Sequence, residues 1–166
     1  MIGIKSAAIL AFIASVALVA ACVGGVKTVV NSNSSSVSNQ ASDNANSAKT
    51  NVEELGVLVH IPFETEDIVW KDDQMSKNLV AVMRFSPADS AAIVADAEKI
   101  APPKSVNLAS ESWFPAELIA QSDMSGDDTL NGKSYAANAF FQEPYTSGTI
   151  SRIEGTEYFI LEVSMK

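Results

Sequence analysis

The sequence predicts an α+β fold, a two-layer sandwich in which a mostly antiparallel sheet of four or five strands carries one long and one short helix on a single face. Three stretches carry that expectation. Ser86-Pro87-Ala88-Asp89 opens a helix, Leu79 to Phe85 is a nearly continuous apolar run of strand length, and the last ten residues or so alternate in polarity.

The helix start combines an N-cap serine, a proline at the first helical position and an acid at the third. From there Ile93, Val94, Ala97 and Ile100 recur at helical spacing, and Ala101-Pro102-Pro103 stops the run, so the long helix is expected over Pro87 to Ile100. The preceding Leu79-Val80-Ala81-Val82-Met83-Arg84-Phe85 suits a central strand buried on both faces. Asp67 to Lys71 reads as its neighbour, with Asp72-Asp73 starting the turn between them. Around Trp113-Phe114-Pro115-Ala116-Glu117-Leu118-Ile119-Ala120 a short helix is expected, with Ser112 available as its cap and the rings lying on the sheet. Ser134 to Phe141 reads as a further strand. At the C-terminus, Thr149 to Ile153 and Thr156 to Met165 flank Glu154-Gly155 as a hairpin, with Phe159, Leu161, Val163 and Met165 on one face.

This domain occupies residues 53–166, about 114 residues, enough for one core. It holds 19 acidic against eight basic side chains, a net charge of −11. Nucleic-acid binding depends on Lys and Arg neutralising phosphates, and no basic stripe offsets this acidity, so that class of partner is excluded. The chain has one cysteine, which rules out an intramolecular disulfide and a Cys-based zinc site.

Residues 1–30 are of a different kind. Lys5 is followed by an uncharged, apolar run from Ser6 to Val26, the pattern of a secretory signal or an N-terminal anchor. Within it, Leu18-Val19-Ala20-Ala21-Cys22 resembles the lipobox of bacterial lipoproteins, with Val19 where that family more often has Leu. The resemblance implies cleavage after Ala21, thioether-linked diacylglycerol on Cys22 and acylation of the new N-terminus. Two other readings stay open. The run is long enough to cross roughly 30 Å of hydrocarbon as an uncleaved helix, and Val19 and Ala21 are the small residues that a simple secretory cleavage uses. All three readings leave the domain outside the cytoplasm, and the two anchored ones place it in the cell envelope, held to a membrane and facing away from the cytoplasm.

Residues 31–52 form a Ser/Asn-rich segment without an aromatic side chain, expected to be a disordered tether. Twenty such residues have a root-mean-square reach of roughly 25 Å.

Catalytic constellations are sparse. His60 is the only histidine, no serine sits in a Gly-x-Ser-x-Gly turn, and no glycine-rich phosphate loop occurs. Asp123, Ser125 and Asp127 place oxygen side chains at alternate positions, similar to the first half of an EF-hand calcium loop. Asp128 stands where glycine is needed and Ser134 where the bidentate glutamate belongs, so an exposed turn built on Gly126, Asn131 and Gly132 is the competing reading. Trp113, Phe140, Phe141 and Tyr145 would form a recognition patch for a peptide, glycan or envelope protein if they were exposed together; otherwise they are core.

The resulting expectation is a non-enzymatic, membrane-tethered envelope protein whose small domain serves binding or assembly, with no cofactor beyond the lipid on Cys22. Two alternatives remain: a small extracytoplasmic hydrolase using paired carboxylates, and a calcium-stabilised adhesion module.

Overall fold

The computed structural model describes residues 47–166. The leader, Cys22 and the tether up to residue 46 lie outside the described residues. The elements are α1 (Val52–Leu58), β1 (Thr65–Asp73), β2 (Asn78–Phe85), α2 (Pro87–Glu98), β3 (Lys104–Ala109), α3 (Ala116–Ser125), β4 (Thr129–Ala136), a 3-10 turn (Asn138–Phe140), β5 (Tyr145–Ile153) and β6 (Tyr158–Met165). Among these, no helix is long and apolar enough to cross a membrane.

The strands form one six-stranded sheet in the order β1-β2-β6-β5-β4-β3, and every neighbouring pair is antiparallel. The mixed α/β character and the antiparallel sheet match the expectation, while the count of strands and the arrangement of helices do not. Among the described residues there are six strands and three α-helices, and the helices lie on both faces of the sheet.

The reason lies in how apolar the central strands are. In β6, Phe159, Leu161 and Val163 point into a core that also takes Leu55 of α1 and Ile93 and Ala97 of α2. Tyr158 and Ile160, on the opposite face of the same strand, enter a second core with Phe114 and with Leu118 of α3. Each fully buried aliphatic or aromatic side chain contributes about 1.5–3 kcal/mol by leaving water, so neither face of β2 or β6 can stand open. The alternation along β6 sorts residues between two cores, and only Glu162 of residues 158–163 is exposed.

Local chemistry explains the individual ends. Ser86 caps α2, its hydroxyl accepting from the Asp89 amide at 3.2 Å and donating to the Asp89 carboxylate at 2.8 Å. The helix closes at Glu98, two residues short of the expected end, where the Ala97 carbonyl accepts from both Ile100 and Ala101. Helix α3 begins after Pro115, which stands at the cap position without a side-chain bond, so Ser112 is not its cap. A proline disfavours helical geometry in the residue before it, and this leaves Trp113 and Phe114 outside the helix. Strand β4 starts at Thr129 and stops at Ala136, where the 3-10 turn takes over, so residues 137–141 do not extend it as expected. Strand β3 went unread because its residues alternate only weakly and most are exposed, as befits an edge. Helix α1 has seven residues, capped by the Asn51 side chain, and hides behind a Val-Leu-Val run that reads as strand.

Two glycines permit close strand approach. A Cβ on Gly148 would stand 2.0 Å from the Glu162 carbonyl oxygen, and one on Gly132 2.7 Å from that of Arg152. The fold also begins upstream of Glu53. Lys49 and Trp70 exchange two backbone hydrogen bonds of 2.8 Å, and the Trp70 indole donates to the Asn51 carbonyl at 3.1 Å.

Truncating the centre of the sheet should therefore be severe. Leu161→Ala is expected to cost about 2–5 kcal/mol in denaturant unfolding, whereas Met124→Ala, at a side chain 82% exposed, should stay within about 0.5 kcal/mol of the parent. Similar losses for the two variants would contradict the assignment of the core.

Candidate functional site

Strand periodicity sends Lys71 and Asp73 to one face of β1 and Asp72 to the other, and at this end of the hairpin the domain opens a cleft of about 720 Å³. Val80 and Asn78 of β2, Glu111 and Trp113 before α3, and Ser47 and Lys49 of the incoming arm complete its walls. Two smaller clefts, of about 440 and 410 Å³, lie beside His60 and Lys133. Ligand sites commonly enclose roughly 300–1,000 Å³, and the first cleft alone combines such a volume with an accessible tryptophan.

Trp113 is held from three directions. Its indole N–H donates to the Glu111 carboxylate, its ring meets Phe114 edge-on at 4.7 Å, and the Lys71 ammonium lies 5.2 Å from its centroid. An aromatic pair of this kind adds about 0.5–1.5 kcal/mol beyond area burial, and a partly exposed cation over a ring about 0.5–1 kcal/mol. Lys49 stands over the Trp70 ring at 4.6 Å and pairs with Glu54. Among the described residues, Lys71 has no carboxylate within ion-pair distance.

The acids of the cleft are bound by neutral donors. Asp72 accepts from the buried Tyr145 hydroxyl. Asp73 accepts from the Met75 amide at 2.9 Å, the Ser76 amide at 3.3 Å and the Ser76 hydroxyl at 2.7 Å, closing a turn in which Lys77 takes positive φ. These bonds, the Ser76 hydroxyl foremost, lower the Asp73 pKa. A second tyrosine–carboxylate pair joins Tyr158 to Asp67 at 2.8 Å on the face of α3. Nearby, Arg84 is flanked by Glu66 at 3.4 Å and Glu117 at 3.9 Å and faces the Tyr158 ring.

The expected recognition patch is not assembled. Phe140 and Tyr145 are buried in the α1/α2 core and Phe141 packs against it, whereas Trp113 belongs to the opposite face. The three aromatics close in sequence share one side of the sheet, and Trp113, from a distant segment, lies on the other. Of the oxygen cluster, Asp123 and Ser125 sit on the last turn of α3, and Asp127 follows the helix cap Gly126, which takes φ 81°. Ser125 donates to Asp127 at 2.7 Å, and Asp127 also accepts from the Thr129 hydroxyl and amide, bonds that lower its pKa. Among the described residues, no three His, Cys, Asp or Glu side chains gather as a metal-holding group. His60 is exposed beyond α1, its amide bonded to the Phe140 carbonyl. Lys71, Asp72 and Glu111 were missed as site residues because the cleft joins segments distant in sequence; the one local signal was Lys71 lying opposite Trp70 in strand alternation.

No family model, curated protein or solved structure matches this chain.

Two measurements follow from this geometry. Burial first, and then the Asp67 hydrogen bond, push the Tyr158 pKa up to about 12, and burial with the Asp72 bond raises that of Tyr145. The native state keeps these phenol protons after the unfolded chain, titrating near 10, has released them. Stability is then full below pH 10 and falls as pH rises from about 10 to about 12. Denaturant midpoints should show this decline, and the double variant Tyr145→Phe/Tyr158→Phe should flatten it; an unchanged slope would refute the assignment. Separately, millimolar calcium should leave the thermal midpoint in place, because the Asp127 carboxylate is already taken up by Ser125 and Thr129; a rise would reveal a calcium site.

Proposed function

We propose that this chain is a membrane-tethered protein of the cell envelope whose acidic domain acts by binding a ligand in the Trp113 cleft, and not by catalysis. The observation that carries the reading is the cleft itself. It holds a fixed, half-exposed tryptophan among charged and amide side chains, and the arm that leads to the tether builds one of its walls.

Sequence features support the attachment. The apolar run, the lipobox-like Leu18-Val19-Ala20-Ala21-Cys22 and the Ser/Asn-rich segment stand in the order that an exported lipoprotein requires. Two or three acyl chains on Cys22 hold a protein to a bilayer far longer than one myristoyl group does, at about 0.8 kcal/mol per buried methylene.

Intact mass of the membrane-extracted chain tests the attachment. The expected product begins at acylated Cys22, and Cys22→Ser should lose the lipid mass and leave the leader uncleaved. A parent chain beginning at an unmodified Met1 would overturn lipidation, and recovery from the cytoplasmic fraction would overturn the envelope assignment altogether.

A further inference from the structure

We propose that the cleft between the β1–β2 hairpin and Trp113 binds a neutral, polyhydroxylated ligand, namely a carbohydrate chain. This rests on reading the domain as a binding module and names the chemistry of its ligand. Both signs of charge line the cleft, Lys49 and Lys71 against Asp72, Asp73 and Glu111. A polyanion would meet three carboxylates, and a polycation would meet two ammonium groups. A sugar hydroxyl both donates and accepts, so it pairs with either, and a bond to a charged partner is stronger than one between neutral groups.

The carboxylates are suited to that task. Glu111 is held by one neutral donor, the Trp113 indole, and Asp72 by two, the Tyr145 hydroxyl on one oxygen and the Gln74 amide on the other. These bonds fix the carboxylates' directions before a ligand arrives and leave lone-pair positions free on both, more of them on Glu111. Trp113 supplies the remaining element. Its ring is partly exposed and immobilised by Phe114 and Glu111, and the C–H face of a pyranose can lie on it where the flexible Lys71 side chain, which stands over the ring, gives way. A sugar in that position brings its hydroxyls to Lys71 and Glu111, the two charged residues that touch the indole. The volume of about 720 Å³ accommodates more than one sugar ring.

The test is a titration of the isotope-labelled full chain, in a detergent without a sugar headgroup, with three neutral tetrasaccharides: cellotetraose, maltotetraose and chitotetraose. Glucuronate and glucosamine serve as charged comparisons. At least one neutral ligand should shift the Trp113 indole resonance saturably, with a dissociation constant of about 1 mM or tighter. Trp113→Ala should weaken binding at least roughly tenfold, with the indole resonance of buried Trp70 reporting an intact core. Affinity should be equal at low and high salt, since no net charge is exchanged. Absence of a saturable shift with all three, preference for a charged sugar, or unchanged binding in Trp113→Ala would each overturn the proposal. The titration is independent of where the chain resides, so a negative outcome leaves the processing of Cys22 to its own measurement.

Discussion

Strand β6 is hydrogen-bonded to β2 on one side, from Arg84↔Tyr158 to Asn78↔Ser164, and to β5 on the other, from Arg152↔Phe159 to Tyr145↔Met165. Without it the sheet would be two separate pieces, the β1–β2 hairpin and the β3–β4–β5 block. β6 also supplies side chains to both cores, so sheet closure and helix packing depend on the same eight residues. No disulfide can substitute for this seam, because the chain has a single cysteine. The pairing of β6 with β2 joins strands far apart in sequence, whereas the other four strand pairings follow chain order. Gly148 belongs to this seam as well, since any side chain there would meet the backbone of Glu162 and part β5 from β6.

The seam explains where polar chemistry can sit. With both faces of the centre covered by helices, functional groups are displaced to the ends and edges of the sheet. The cleft lies at one such place, where the hairpin turn, the loop before α3 and the arm at Lys49 converge. Each part is held by a different device: an aspartate-closed turn, an edge-on aromatic pair, and a short antiparallel bridge to Trp70. The tyrosine–carboxylate pairs Tyr145–Asp72 and Tyr158–Asp67 tie β1 to the sheet interior from its two faces, coupling the wall of the cleft to both cores. Strand β1 is therefore at once an edge and a boundary of the site.

Much of the fold was legible where one signal acted alone. The Ser86-Pro87 start, the apolar run of β2 and the alternation around Glu154-Gly155 are local rules, and α2, β2 and the β5–β6 hairpin follow them. Reading failed where local signals conflicted or were weak. Pro115 overrode Ser112 at the start of α3, while α1 is only seven residues long and β3 six residues with four of them exposed, too short for either periodicity to stand out. Trp113, Phe140, Phe141 and Tyr145 looked equivalent in the sequence, and only Trp113 lies in the cleft, the other three packing in or against the core of the opposite face.

By itself, the sequence determined the acidic charge, the single cysteine, the apolar character of the N-terminal run and the periodicities that make strands and helices, because each is a property of composition or of neighbours along the chain. Only the tertiary structure decided that β6 lies between β2 and β5, that helices cover both faces, and that Trp113 shares a cleft with Lys49, Lys71 and Asp72. Alternation specifies that successive side chains take opposite sides of a strand, without specifying which side a helix will cover or which distant strand will lie alongside. Those choices are made by the packing that leaves least apolar surface in water, a sum over the whole domain to which no single segment holds the answer.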